Sequence, residues 1–266
     1  LLMLSIFQTY AELMGGRVIF GIEEPEIYLY PQAQRSLYKH FQSISEQSQI
    51  FYSTHNPNFV DAARPSDIIL LRKSMENGTY PLQKSTYFSA ENAKKDWHRI
   101  YTQFNKDRNE LFFAKKVLLV EGDSDKILIA TLCEHHWNID IDAEGISIIP
   151  CGGKAGVLYF IGICQMVGIE DYFAIWDTDN EVDDRRGILS ATLDAKKGLA
   201  FEPNMERALS ISVGADAKKV KNAYEWVIGI TTAQVPEILN NLRLFLNPNF
   251  TIEESVAVIN DDDLPF

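Results

Sequence analysis

Lys116-Val117-Leu118-Leu119-Val120-Glu121-Gly122 is the stretch that decides the fold. Its apolar core does not alternate with polar residues, which is the pattern of a strand covered on both faces in a parallel sheet. The run breaks at a carboxylate followed by glycine, and Ser124 is placed to cap a helix extending to about His135. The same strand–loop–helix logic follows downstream. Ile146 to Pro150 reads as a strand, Gly152-Gly153 as a turn and 155–167 as a helix. Tyr172 to Trp176 reads as a further strand, stopping at Asp177-Thr178-Asp179. Alternating strands and helices of this length imply an α/β fold with a parallel sheet, whose ligands sit at the carboxyl ends of strands.

Upstream, residues 1–14 read as the end of an apolar helix stopped by Gly15-Gly16. Val18 to Ile22 is a short strand running into Glu23-Glu24-Pro25-Glu26. Pro31 to Ile44 is an amphipathic helix with proline at its start, where the missing N–H costs nothing. Gln49 to Ser53 is a second strand, ending at Thr54-His55-Asn56-Pro57, and Ile68 to Leu71 a third. This divides the chain into a first module over 1–88, a polar helical connection over 89–109, a second module over 110–250 and an acidic tail over 251–266.

Composition narrows the class. The 266 residues carry a formal charge of −12, with 46% hydrophobic and 23% charged residues, a globular balance that excludes disordered and fibrous chains. The longest apolar run, Val157 to Ile169, falls short of the roughly 18 residues a membrane helix needs, so no membrane association is expected. Leu1-Leu2-Met3-Leu4 has no basic stretch typical of a signal peptide, and reads as the interior of a helix in a longer protein. Cys133, Cys151 and Cys164 have no CxxC spacing; they argue against a disulfide framework or zinc site and fit a reducing cytoplasm. Residues 1–90 carry 7 basic and 8 acidic side chains and the rest 18 and 29, so the negative charge is concentrated in the second module.

That concentration falls at strand ends. Glu121, Asp125, Asp177 and Asp179 come from two strand ends of one expected sheet, and Asp-x-Asp on an extended segment points both carboxylates the same way. Such a cluster is repulsive unless cations fill it, and an all-oxygen set suits Mg²⁺ or Mn²⁺. Taken alone, Asp177-Thr178-Asp179-Asn180-Glu181 reads first as a polar loop tip, as most acidic clusters are; its pairing with the Glu121 strand end reverses that. In the first module, a strand ending in two carboxylates is what metal-assisted nucleotide hydrolysis needs. Glu23 would hold Mg²⁺, Glu24 would polarise the attacking water, and His55 would sense the γ-phosphate of ATP.

Both constellations resemble one family. Ile22-Glu23-Glu24-Pro25-Glu26-Ile27-Tyr28-Leu29-Tyr30-Pro31 resembles the Walker B and D-loop of ABC-type ATPases, in the variant of the overcoming-lysogenization-defect (OLD) nucleases. Ser53-Thr54-His55-Asn56-Pro57 resembles their switch-histidine loop, with Tyr30 standing where the family commonly has His. Val117 to Gly122 together with Asp177 and Asp179 resembles the Toprim nuclease fold, and Glu110 to Lys116 leads into it as in OLD proteins. The resemblance covers about 15–230. It implies the C-terminal part of an ABC-type ATPase domain followed by a Rossmann-like Toprim domain.

The resemblance implies site residues as well. Glu121, Asp125, Asp177 and Asp179 would hold metal, with Glu206 in support and Glu202 as its competitor. Among Lys218, Lys219 and Lys221, Lys221 is favoured as the cation that stabilises developing phosphate charge. Gly152-Gly153-Lys154 reads equally as a plain turn or as the family's Gly-rich turn, in which Lys154 would touch the DNA backbone. One element is missing: there is no G-x-x-x-x-G-K-[ST], and Cys151 to Gly156 lacks the leading glycine and the Ser or Thr of a phosphate loop. ATP hydrolysis is therefore expected only with a further upstream lobe.

The implied activity is divalent-metal-dependent DNA endonuclease cleavage, regulated by the ATPase module and used in antiphage defence. Self-association is expected by analogy with ABC-type sites. Asp261-Asp262-Asp263-Leu264-Pro265-Phe266 resembles the acidic tail of bacterial single-stranded DNA-binding proteins and would dock a protein partner. The alternative is an ATPase-derived scaffold that holds nucleic acid or a partner without cutting. A topoisomerase or primase on the same Toprim fold is weaker, because no tyrosine nucleophile context is evident.

Overall fold

The computed structural model describes residues 6, 9–10, 12–15, 18–46, 48–60, 67–82, 106–179, 197–212 and 216–248. The acidic tail and most of the 89–109 connection lie outside these residues. Two compact units form: Leu1–Ile68 with Phe104–Phe113, and Ile69–Gln103 with Ala114–Phe266. The chain then re-enters the first unit before its final crossing.

In the first unit, β1 (Ile19–Glu23) and β2 (Gln49–Ser53) pair in parallel with Glu23 opposite Ser53. The helix Pro31–Ser45 joins them and buries Leu37, Phe41 and Ile44, a spacing of three to four residues that lines one helical face. Phe59, from the short 3₁₀ turn Pro57–Phe59, completes the core against Leu37 and Phe41. Its ring meets Tyr52 edge-on at 5.9 Å and Phe41 at 6.1 Å.

The second unit is built on a four-stranded parallel sheet in the order β6-β5-β7-β8. Its strands are β5 (Lys116–Val120), β6 (Ile146–Pro150), β7 (Tyr172–Asp177) and β8 (Gly198–Phe201). Val117 to Val120 are wholly buried, as an apolar run without alternation requires. β5 sends its connection to β6 on one side, while β7 sends its connection to β8 on the other. The chain therefore changes direction between β5 and β7, where an open α/β sheet leaves a crevice at the strands' carboxyl ends.

The helix Asp123–His135 packs against the later helix Asp216–Gly229, which contributes the fully buried Ala223 and Val227 to the core. His136 is buried there, its ring bonding the Val227 carbonyl at 2.8 Å and the Thr232 hydroxyl at 3.2 Å, so it is a packing residue. Lys116 Nζ donates to the Phe245 and Leu246 carbonyls at 3.0 and 2.7 Å, closing the end of the helix Asn240–Leu246. Lys197 Nζ donates to the Glu170 carbonyl at 2.7 Å. These two lysines serve the fold.

Three elements differ from the sequence reading. The third strand is a hairpin, β3 (Leu70–Ser74) with β4 (Gly78–Leu82), antiparallel and part of the second unit. Its turn glycine, Gly78, has φ +63°. β8 was not expected at all. The helix after β5 begins at Asp123 with Gly122 at its cap, so Ser124 lies within the first turn; the Asp125 carboxylate accepts from the Gly122 N–H instead. Among the described residues, no helix is long and apolar enough to cross a membrane.

Candidate active site

The end of β5 and the end of β7 are tied by a side chain. Glu121 Oε1 accepts the backbone N–H of Asp177 at 2.7 Å, one residue beyond each strand's last apolar position. Asp177 Oδ1 in turn accepts the N–H of Met205 at 2.9 Å, at the start of the short helix Met205–Ala208 that carries Glu206. Asp125 Oδ2 accepts from Gly122 at 2.9 Å. Three carboxylates are thus each fixed by a backbone donor.

They surround a pocket of about 220 Å³ lined by Glu121, Asp125, Asp177, Glu206 and Lys219, with Gly153 at its edge. Asp125 and Glu206 are 6% exposed, an unusual depth for two anions. Burial pushes the Glu121 carboxyl up to about 7, against the lowering effect of the Asp177 N–H. Burial also raises Asp177 to about 7, with Asp125 and Glu121 adding to it, and Asp125 to about 6. Lys219 Nζ lies 3.7 Å from Glu206 Oε1, and the Lys154 ammonium also acts on Glu121 as an opposing positive charge.

The structure does not bring all the expected residues together. Asp179 turns away from the pocket. It has left the strand, with φ +54°, and its N–H bonds the Pro203 carbonyl, so the same-side rule for residues i and i+2 of a strand does not reach it. Its carboxylate pairs with Lys154 Nζ. Lys154 therefore meets a carboxylate.

Lys221 also stands apart. It is 71% exposed and pairs with Glu225 at 3.3 Å, one helical turn away on its own helix. Two residues of helix amount to a rotation of ~200°, which carries Lys221 off the face that Lys219 presents to the pocket. Glu206 lines the pocket, and Glu202 does not. Among the described residues, no group of three His, Cys, Asp or Glu side chains stands ready to hold an ion as positioned. The donors nonetheless fit a hard divalent cation in chemistry, being oxygen, anionic and buried, with Glu121, Asp125, Asp177 and Glu206 the residues that could hold it.

In the first unit, Glu24 follows β1 and donates its backbone N–H to the Ser53 carbonyl at 3.0 Å. His55 Nε2 lies 3.3 Å from Glu24 Oε1, with the imidazole largely exposed. Glu23 ends the strand opposite Ser53. Glu26 is the residue the sequence reading passed over. It is 7% exposed, and its Oε1 accepts both the Thr54 hydroxyl and, at 3.2 Å, the His55 N–H. Oε2 is buried with no hydrogen-bond partner among the described residues. Glu26 thereby clamps the acidic turn to the histidine loop. The signal was its place in Glu23-Glu24-Pro25-Glu26, where proline forces a turn that sends the next acid inward.

Residues 112–179 match the Toprim domain of overcoming-lysogenization-defect-like proteins, and residues 1–60 match an AAA ATPase domain. The OLD nuclease of Thermus scotoductus is 31% identical over 267 residues, covering 90% of this chain and 49% of that protein. The chain belongs to the OLD family. The Old nuclease of Escherichia phage P2 is 26% identical over 62% of this chain and 28% of its own length. Endonuclease GajA of Bacillus cereus is 26% identical over 73% of this chain and 30% of its own. The chain thus spans about half the length of the Thermus OLD nuclease and less than a third of the other two. The ATPase match contains Glu23, Glu24, Glu26 and His55, and the Toprim match contains Glu121, Asp125 and Asp177 of the acid pocket, whose Glu206 and Lys219 lie beyond it.

Proposed function

We propose that this OLD chain is the cutting part of a DNA endonuclease that depends on Mg²⁺ or Mn²⁺ and acts in antiphage defence. The observation that carries the reading is the pocket itself: four acids, from the end of β5, the helix after it, the end of β7 and the helix Met205–Ala208, enclose it at the point where the sheet changes direction, and burial raises three of them. Mutual repulsion at such a depth is costly, and a divalent cation relieves it. A bound divalent metal supplies activated water and a clamp on phosphate oxygens.

The chain's own residues do the rest. Glu121, Asp125, Asp177 and Glu206 hold the cation, with Glu121 and Asp177 pinned by the backbone so that little reorganisation is needed. Lys219 brings positive charge to the phosphodiester, where negative charge develops as the bond breaks. Asp179 borders the pocket as a reserve ligand. DNA is the polyanionic substrate the cation-filled pocket fits, and the relatives' names point the same way. Glu23, Glu24 and His55 form half of a nucleotide site, whose ATP would regulate cutting once a phosphate loop is supplied from elsewhere, through self-association of the kind ABC-type sites require. The acidic tail would dock a protein partner.

The test is nicking of supercoiled plasmid in Mg²⁺ or Mn²⁺, comparing the native protein with Asp177→Ala and Asp125→Ala. Loss of nicking by at least about a hundredfold in both supports the assignment; unchanged cleavage by both removes it. A second reading, a scaffold that binds without cutting, is favoured by the lack of a ready three-acid ion site among the described residues. Calorimetric titration with Mn²⁺ separates the two, since a scaffold needs no divalent ion.

A further inference from the structure

The acid pocket has its own cation beside it. Lys154 is the first residue of the helix Lys154–Val167, directly after Gly152 and Gly153. Both glycine N–H groups donate to the Glu121 carbonyl, at 2.8 and 3.0 Å, which fixes the start of this helix against the end of β5. Asp179 is fixed from the other side, its N–H donating to the Pro203 carbonyl beyond β8 at 2.6 Å. The two anchored backbones let the Lys154 ammonium reach the Asp179 carboxylate. The lysine side chain is only 12% exposed, whereas the aspartate is 48% exposed, so it is the cation that is enclosed. Gly153, next to Lys154, and Asp177, two residues before Asp179, line the pocket, which places the pair at its border.

We propose that Lys154 is an internal counter-cation, holding Asp179 away from the acid pocket until a divalent cation displaces its ammonium and Asp179 turns inward. This rests on the metal-site reading and adds an order of events to it. The pocket acids engage the cation first. Asp179 joins only as Lys154 leaves, and the released ammonium is then free to meet a phosphate of the substrate. The step is an exchange of ion-pair partners, with no bond made or broken. The enclosure of Lys154 explains why the exchange needs a divalent ion: a monovalent cation offers Asp179 no more charge than the ammonium already does.

The experiment is Mn²⁺ titration of the native protein, Lys154→Gln, Asp179→Asn and the double variant, followed by calorimetry and by electron paramagnetic resonance of free Mn²⁺. Removing a charged hydrogen-bonded competitor should tighten Mn²⁺ about tenfold in Lys154→Gln. In the Asp179→Asn background the same substitution should change the affinity less than about twofold, because the coupled partner is already gone. An affinity in Lys154→Gln equal to or weaker than the native value overturns the inference. Absence of saturable Mn²⁺ binding in the native protein overturns the metal-site reading beneath it, so the two failures are distinct. Should Lys154→Gln not fold, the native protein gives an independent readout: acetylation of Lys154, followed by mass spectrometry, should rise severalfold on Mn²⁺ addition. No rise overturns the inference as well.

Discussion

Glu121 Oε1 receives the Asp177 N–H at 2.7 Å, so a carboxylate from one strand end completes the hydrogen bonding of the next. The bond serves two purposes in one group: it extends the pairing of β5 and β7 past their last apolar residues, and it fixes one oxygen of an acid that lines the pocket. A substitution that keeps the acceptor but removes the charge separates these purposes. Glu121→Gln should be at least as stable as the native protein at pH 8, whereas Glu121→Ala leaves the Asp177 N–H unpaired and should lose about 1–3 kcal/mol. Urea denaturation of the two variants measures this, and equal losses would show that the hydrogen bond is not what Glu121 contributes.

The stability of the metal-free protein should fall as pH rises from about 4 to 8. Glu121, Asp125 and Asp177 titrate near 7, 6 and 7 in the folded chain, against ordinary values of 4.5, 3.8 and 3.8. Between those limits the folded state binds more protons than the unfolded one, so each unit of pH costs stability. The contribution is complete below the ordinary values and lost as pH passes the raised ones. Tm should therefore be lower at pH 8 than at pH 5 by at least ~2–4 °C, the shift that about 1 kcal/mol produces in a domain of this size. Millimolar Mg²⁺ should recover the loss at pH 8 and do little at pH 5. A Tm independent of pH across this range would contradict the burial of these acids.

Much of this site was legible in the sequence, and the limits are physical. Glu121 and Asp177 could be read because an apolar run of strand length ends abruptly at each, and strand ends are where parallel sheets place their ligands. The orientation of Asp179 could not, because it depends on the left-handed turn and the Pro203 carbonyl beyond β8. That strand left little trace: Gly198-Leu199-Ala200-Phe201 is four residues long, and its bounding Lys-Gly and Glu-Pro pairs were the available signal. Choosing among Lys218, Lys219 and Lys221 required the phase of the helix Asp216–Gly229, whose start Ser212, Gly214 and Asp216 each could cap in the sequence. Glu26 was hidden for the opposite reason, since an acid in a proline turn reads as solvated.

Lys219, rather than Lys221, should matter for cutting. Lys219 faces the buried Glu206, while Lys221 pairs with Glu225 on an exposed surface. Lys219→Ala should lower plasmid nicking by about a hundredfold, the typical effect of removing one group aimed at developing charge. Lys221→Ala should stay within about twofold of the native rate, since exposed ion pairs contribute little. The reverse pattern would place the catalytic cation outside the pocket.

Glu26 should be a stability determinant of the first unit. Its carboxylate accepts from both the Thr54 hydroxyl and the His55 N–H. Glu26→Ala leaves two donors unmatched and opens a gap beside the turn, so a loss of about 2–3 kcal/mol is expected in urea denaturation. Thr54→Val removes one of the two and should cost roughly half as much. Native-like stability of Glu26→Ala would mean that the His55 loop is held from elsewhere.

Gly156 should not tolerate a side chain. A Cβ there would stand 2.0 Å from the Cys151 carbonyl oxygen and 2.7 Å from its carbon, both backbone atoms that cannot swing aside. The segment it would push is tightly strapped: Cys151 N–H donates to Val120 O at 2.7 Å, and the next two N–H groups donate to Glu121 O. Displacing Cys151 therefore displaces the residue that ties β5 to β7. Gly156→Ala should cost about 1–3 kcal/mol, in line with overpacking, although alanine is the better helix former. It should also weaken Mn²⁺ binding, measured by calorimetry, because the Glu121 carboxylate moves with its backbone. Lost stability with unchanged Mn²⁺ affinity would show that the turn supports the fold without setting the pocket.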